Sequence, residues 1–238
     1  MGATEIILPL IFLAGVVALL GIPRYRRRKQ NKLEGRATHQ MQRDEFELAL
    51  EQLPKESSQL GTRVQRGWCL LLTGQTDAGL AELKQEGGDL PGDPRARLDV
   101  WLSIARAMAL TNADTDRATA LSSKVRHALT QLPTAWHGAI EAQLAEIDGW
   151  MQLHRGQSIH ALASFDRAIE QPTGKPWIDA ARLYGRACAL IEMGRYEQGK
   201  AGLEDAAALG PDRANVSRAH ALLEEMKAGP YRKQPART

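Results

Sequence analysis

The side chains that could catalyse a reaction or hold a metal are six histidines and two cysteines in a chain of 238 residues. The histidines form no HExxH motif and no i, i+4 pair, the spacing that places two metal ligands on one helix face. They are His39, His127, His137, His154, His160 and His220. Cys69 and Cys188 lie far apart and lack a CxxC motif, which argues against a zinc site or a disulfide framework. We therefore predict no catalytic residue, no metal site and no cofactor, and expect that the chain is not an enzyme.

The elements that must position any site are helices. Ala, Leu, Gln, Glu and Arg are abundant and aromatic residues make up only 5% of the chain, a composition that favours helix over sheet. No stretch shows the alternating pattern of a strand, and no glycine-rich phosphate loop is found. The sequence predicts an all-α fold.

Basic residues are concentrated at the two ends of the chain, although the net charge is only +3. Six of them directly follow an apolar run near the N-terminus: Arg24, Arg26, Arg27, Arg28, Lys29 and Lys32. Residues 33–226 contain 21 basic and 27 acidic residues, so the body of the protein is mildly acidic. Because a nucleic-acid-binding domain carries its basic stripe on the folded surface, we predict no nucleic-acid partner. The basic cluster is expected to contact anionic lipid head groups.

The apolar run at residues 6–22 predicts a membrane helix. As a helix it would span roughly 26 Å, close to a bilayer core of about 30 Å. A cleaved signal peptide carries its positive charge before the apolar core, whereas here the arginine cluster follows it. The other alternative, a buried helix of a soluble protein, is disfavoured by the adjoining RYRRRK.

The position of the charges also predicts topology, because Lys and Arg beside a membrane helix stay on the cytoplasmic side. We expect a single-pass anchor at 1–23, with its N-terminus outside, and a basic juxtamembrane linker at 24–35. The C-terminal domain would then lie in the cytoplasm, with the bacterial inner membrane as the expected location.

Three segments of the body repeat one pattern: residues 66–91, 148–172 and 186–211. In each, a small residue is followed seven residues later by a glycine, and a second amphipathic run ends near a proline. The small residues should let two helices approach closely, and the glycines should reverse the chain. Near-regular prolines mark these segments and two further ones: Pro54, Pro91, Pro133, Pro172 and Pro211. A helix pair of this kind cannot bury its apolar face alone, so the pairs are expected to stack.

This pattern resembles the tetratricopeptide repeat (TPR) family over about residues 36–212. The last unit is similar through Gly194, Tyr196, Ala206 and Pro211. The unit at about 142–172 is similar through Gly149, Gly156, Ala161, Phe165 and Ala168. The unit from about 60 keeps Gly67, Gly74 and Pro91 but has Gly79 where alanine is usual. The unit that ends at Pro133 keeps Ala128 but lacks both glycines, and residues 36–54 resemble a closing helix through Phe46, Ala49 and Pro54.

The resemblance implies an α-solenoid of TPR-like helix pairs at 36–227, closed by a capping helix at 213–227. A disordered basic tail is expected at 228–238. In the family, the first helices of successive units line a concave groove that binds a helix or an extended peptide. The resemblance implies a set of candidate groove residues in this sequence: Trp68, Leu71, Glu146, Trp150, Leu153, His154, Tyr184, Cys188, Ile191 and Glu192. Of these, Glu146, His154, Tyr184 and Glu192 are expected on the rim. The alternative is that Trp68 and Trp150 pack between neighbouring helices.

Two functions are compatible with this organisation. The first is a membrane-tethered scaffold or adaptor that binds other proteins at the cytoplasmic face and helps to assemble a membrane-associated complex. Its layout resembles that of the lipopolysaccharide assembly protein B family, without the C-terminal metal module of that family. The alternative is a permanent accessory subunit of a larger membrane complex, with the anchor packed on other membrane helices through Gly15 and Gly21.

Overall fold

The computed structural model describes residues 33–84 with gaps at 34, 42, 44, 56 and 58, and then residues 93–173, 176–209 and 216–227. The predicted anchor, the basic cluster and the C-terminal tail lie outside these ranges. Within them, no helix combines the length and the apolar character needed to cross a membrane.

The described part of the chain is all-α, which confirms this part of the predicted fold class. Helical backbone covers residues 35–41, and a 3₁₀ turn occupies Thr134–Trp136. The α-helices are α1 (Phe46–Gln52), α2 (Leu60–Leu72), α3 (Thr76–Lys84), α4 (Pro94–Thr111), α5 (Thr115–Leu129), α6 (His137–His154), α7 (Ser158–Ile169), α8 (Pro176–Glu192), α9 (Tyr196–Ala208) and α10 (Val216–Lys227).

Four helix pairs follow one another: α2 with α3, α4 with α5, α6 with α7, and α8 with α9. Their turns contain Gly74, Gly156 and Gly194 with φ of 81°, 71° and 76°, so the glycines reverse the chain as the spacing predicted. The remaining turn uses Asn112, which adopts the same left-handed conformation with φ of 55°. The unit that lacks both glycines therefore also folds as a helix pair.

The four turns share one hydrogen-bond pattern, the Schellman motif. In the first turn, the amide of Gln75 donates to Leu70 O at 2.8 Å and that of Gly74 donates to Leu71 O at 3.2 Å. The Asn112 turn repeats the pattern with Ala113 N to Met108 O at 3.1 Å. Each motif satisfies the last carbonyls of the first helix and directs the chain into the second.

The small residues bring the helices of a pair into contact. A Cβ at Gly67 would lie 2.6 Å from the side chain of Leu83, and one at Gly149 would lie 2.9 Å from the ring of Phe165. Leu83 and Phe165 are almost fully buried. The second helix can therefore seat a large apolar side chain directly on the backbone of the first.

Successive pairs pack on one another through both of their helices. The first helices make contacts in the order α2, α4, α6 and α8, and α10 packs against α8 and α9. The second helices α5, α7 and α9 contact the first helix of the following pair or, at the end, α10. Buried apolar residues are continuous from α2 to α8, and a second cluster joins α8, α9 and α10.

Candidate functional site

The candidate site is the first-helix face, which we define as the surface formed by α2, α4, α6 and α8. An ion cluster lies at its centre. Glu146 of α6 accepts from Arg106 Nη2 of α4 at 2.5 Å and from Arg182 Nε of α8 at 3.1 Å, both through Oε2. Glu146 is 1% exposed, Arg106 9% and Arg182 0%. One carboxylate therefore links the first helices of three successive pairs.

Arg182 also binds the C-terminal end of α7. Its Nη1 donates to Ala168 O at 2.7 Å and to Gln171 O at 2.9 Å, and it lies 3.9 Å from Asp179 Oδ1. Carbonyls at the end of a helix lack intrahelical partners and carry a partial negative charge, so a guanidinium is favourable there. Nη2 of Arg182 is buried without a hydrogen-bond partner among the described residues.

The position of Glu146 corrects the sequence-based expectation, which placed it on the rim of an open groove. Glu146 is 1% exposed and its Oε2 is bound by an arginine from each neighbouring helix, so the carboxylate is not presented at an open rim. Sequence reasoning did not identify Arg106 or Arg182. The sequence did contain one indication of the cluster. Glu146 is a charged residue in an apolar part of α6, between Ile140 and Trp150, and a carboxylate buried there needs a buried cation as its partner.

Trp150 forms the aromatic part of the face. Its ring is 5.1 Å from that of Phe165 in a T-shaped arrangement, 6.1 Å from Tyr184 and 6.5 Å from His154, measured between centroids. Trp150 is only 4% exposed, and its Nε1 is buried without a hydrogen-bond partner in the described part of the chain. The indole thus packs between α6, α7 and α8.

Trp68 is half-buried, and its Nε1 donates to Ser103 O of α4 at 3.0 Å. Trp68 thus ties α2 to α4 through a hydrogen bond, whereas Trp150 joins α6 to α8 through ring packing. Both tryptophans therefore lie between neighbouring first helices, the arrangement that the alternative interpretation expected.

Three other predicted groove residues are buried. Leu71 is 4% exposed and packs against Gly79 of the second helix, where an added Cβ would lie 2.8 Å from the Leu71 side chain. Ile191 is 3% exposed and packs in the same way against Gly199, with a corresponding distance of 2.5 Å. Leu153 is 8% exposed and belongs to the main apolar core. None of the three is offered on an open surface.

The remaining four predicted residues are at least partly exposed, and they lie at the end of α6 and from the middle of α8 to its C-terminal end. His154 and Glu192 are exposed, whereas Tyr184 and Cys188 are half-buried. Glu192 accepts from Ser158 Oγ at 2.8 Å, which fixes its carboxylate near the start of α7. Desolvation lowers the pKa of His154, and hydrogen bonds to the carbonyls of Leu110 and Ala109 oppose this shift. The structure therefore brings together an accessible imidazole, phenol, thiol and carboxylate.

Cys69 is buried beside the N-terminal core cluster of Phe46, Ala49 and Leu53. Burial raises the pKa of Cys69 to about 12, so the nucleophilic thiolate is suppressed. Cys69 packs as a small apolar residue.

A separate cleft of about 540 Å³ opens between α5 and α7, with part of α6 as its floor. Its floor includes Leu144 and Ala145, and an ion pair of Arg126 Nη2 with Asp148 Oδ2 at 2.5 Å crosses it. Its remaining charged side chains include both signs, with Arg167 near Glu141 and Glu170. The cleft is therefore lined by both signs of charge, with two arginines against three acids.

Within the described ranges, no group of three or more His, Cys, Asp or Glu side chains is placed to hold a metal ion. Comparison of the chain with protein-family models, with curated proteins and with solved structures found no match.

Proposed function

We propose that the chain is a membrane-tethered, TPR-like helical scaffold that binds other proteins at the cytoplasmic face of a membrane and helps to assemble a membrane-associated complex. The observation that supports this proposal is the stacking of the four helix pairs into one array. Four helix pairs close with one turn motif and stack through their first helices, the organisation on which solenoid binding proteins are built.

The accessible end of the first-helix face supports a protein partner rather than a small substrate. Tyr184 offers apolar area with a polar tip, and His154 and Glu192 offer hydrogen-bonding groups beside it. Aromatic side chains of this kind are frequent anchors of protein interfaces. The proposed ligand is a helix or an extended segment that crosses the ends of α6 and α8.

Crosslinking in membranes followed by mass spectrometry tests this proposal. The double variant His154→Ala with Tyr184→Ala should lose crosslinks that the unsubstituted chain forms. His127→Ala with Leu48→Ala is the matched control, because both residues are exposed and lie on α5 and α1, away from the face. Identical crosslink patterns for the two double variants would refute binding at this face.

The membrane tether rests on the sequence of residues 6–32. An export-dependent phosphatase fused after residue 238 should stay inactive, and removal of residues 1–23 should release the chain from membranes. Phosphatase activity of the fusion would overturn the cytoplasmic assignment.

A permanent accessory subunit of a membrane complex is the second candidate. The burial of Glu146, Trp150 and Leu153 favours it, because side chains of the chain itself fill much of the predicted groove. Purification in mild detergent separates the two functions. A stoichiometric complex that survives salt indicates a subunit, whereas substoichiometric partners that salt removes indicate an adaptor.

A further inference from the structure

The large apolar side chains that remain exposed among the described residues are Ile159 at 70%, Leu48 at 47% and Tyr196 at 46%. Ile159 and Tyr196 occupy nearly equivalent places in consecutive pairs, three residues after Gly156 and two after Gly194. Leu48 lies apart from them on α1. Two of the three thus lie at the turns between first and second helices.

The turns of these two pairs are joined in space. Ser158, which precedes Ile159, donates to Glu192 at 2.8 Å, and Glu192 ends the helix whose turn leads into Tyr196. Ile159 and Tyr196 therefore share one edge of the array. An edge that exposes a large apolar side chain in each of two consecutive pairs is a candidate contact surface.

The same edge is basic. Arg155 and Arg195 are exposed within the two turns, and His160 and Lys200 are exposed one residue after Ile159 and four after Tyr196. Glu192 and Glu197 are the acids nearby, so with His160 neutral the three basic residues leave this edge a net charge of +1. We name the turn-edge patch as Arg155, Ile159, His160, Arg195 and Tyr196.

The corresponding turns of the first two pairs lack this combination of arginines and exposed large apolar side chains. The turn into α3 is followed by Asp77, and that into α5 contains Asp114 and is followed by Asp116. The acid after the turn is not itself the difference, because Glu197 of the last pair is the counterpart of Asp77. The difference is that only the last two pairs carry the residues of the turn-edge patch.

We propose that the turn-edge patch lies against the anionic lipid surface of the membrane, with Ile159 and Tyr196 at the level of the head groups. This inference rests on the tether of the proposed function. Tyrosine favours the membrane interface, and arginines near an anionic leaflet are attracted to it. Residues 24–32, which separate the predicted anchor from the first described residue, could span at most about 32 Å, so the tether keeps the array near the bilayer surface.

Fluorescence quenching on the full-length chain in vesicles tests this contact. Ile159→Cys and Tyr196→Cys are labelled separately with a bimane, and Ala135→Cys is the control because it is exposed in the loop between α5 and α6. The unsubstituted chain, treated in the same way, gives the background from the native cysteines. A quencher carried on lipid head groups should act at positions 159 and 196 and not at 135, in phosphatidylglycerol vesicles but not in phosphatidylcholine vesicles.

Charge reversal provides a second test of the contact with lipid. The double variant Arg155→Glu, Arg195→Glu should abolish the quenching. The loss of one arginine near an anionic membrane surface weakens binding to that surface about fivefold. The control is the double variant Lys55→Glu, Lys84→Glu. It changes the net charge by the same amount at two exposed positions outside the turn-edge patch, and it should leave the quenching unchanged. Equal quenching in both kinds of vesicle, or equal effects of the two charge reversals, would overturn the proposal.

Two further outcomes separate this inference from the proposed function. If alkaline washing removes the full-length chain from the vesicles, the tether fails and the patch proposal fails with it. If the chain stays anchored but positions 159 and 196 are open to aqueous iodide, the patch proposal alone is refuted. Shielding from iodide without quenching by lipid would show that a second copy of the chain, not the membrane, covers the patch.

Discussion

Arg182 of α8 and Glu146 of α6 form an ion pair in which Nε lies 3.1 Å from Oε2 and both side chains are 1% exposed. The attraction is strong because water does not screen it, but the same burial makes each charge costly if its partner is lost. Arg106 completes the cluster from α4. The relative positions of three helix pairs therefore depend on one carboxylate.

Glu146→Ala should destabilise the protein by about 3–5 kcal/mol, because it leaves two buried guanidinium groups without their carboxylate. The free energy of unfolding in urea measures this change. Asp166→Ala is the control, since Asp166 pairs with Arg186 at 2.6 Å but the two side chains are 48% and 37% exposed. Its effect should stay below about 1 kcal/mol. Equal losses in the two variants would show that burial adds nothing to the cluster.

Gly185→Ala should destabilise the protein by about 1–3 kcal/mol through overpacking. The new methyl group would overlap the ring of Phe165, which also lies against Gly149 on the other helix. In the double variant with Phe165→Leu, the cost of the alanine should shrink, and a double-mutant cycle of unfolding free energies measures the coupling.

Gly61→Ala is the matched control for that prediction. Gly61 lies in α2, and a Cβ there would meet no atom within 4 Å. Alanine should therefore keep or raise stability, by up to about 1 kcal/mol. A loss at Gly61 as large as that at Gly185 would mean that the cost arises from the backbone and not from the contact with Phe165.

The helix pairs could be predicted from sequence because glycine and proline punctuate them at nearly regular spacing. The α4–α5 pair was the weak point of that reasoning. Its turn uses Asn112, which tolerates the left-handed region although it is not glycine, so a search for glycine cannot find it.

The site was less predictable than the fold. Spacing along a helix identifies which residues share a face, but the packing angle between neighbouring helices decides whether that face is open. Leu71 and Ile191 share a helix with accessible or half-buried residues and still point into their own pairs. Glu146 was expected at a solvated rim because a charged residue is exposed by default, and its two arginines lie 40 and 36 residues away in sequence.

Asn112→Val should destabilise the protein by about 1–2 kcal/mol, because a β-branched residue is strained at a φ of 55°. Asn112→Gly should retain the stability, since glycine adopts this conformation without a steric cost. Thermal unfolding of the two variants checks the order. If valine were tolerated as well as glycine, the Schellman turn of α4 would not constrain the α4–α5 pair.

The two cysteines should differ in reactivity, and the difference can report on the candidate site. At pH 8 a thiol with a pKa of about 12 is ionised in only about one molecule in 10,000, so Cys69 should resist maleimide until the protein is denatured. Half-buried Cys188 should be the position modified in the native state, as intact-mass measurement and peptide mapping would show. Cys188→Ala should then give no native adduct.

A partner that covers the ends of α6 and α8 should slow the modification of Cys188, and Cys69 should become reactive only when the fold is lost. The rate should recover in the His154→Ala, Tyr184→Ala double variant and stay slow in the His127→Ala, Leu48→Ala control. An unchanged rate of Cys188 modification in membranes that hold the crosslinked partner would mean that the partner binds elsewhere on the array.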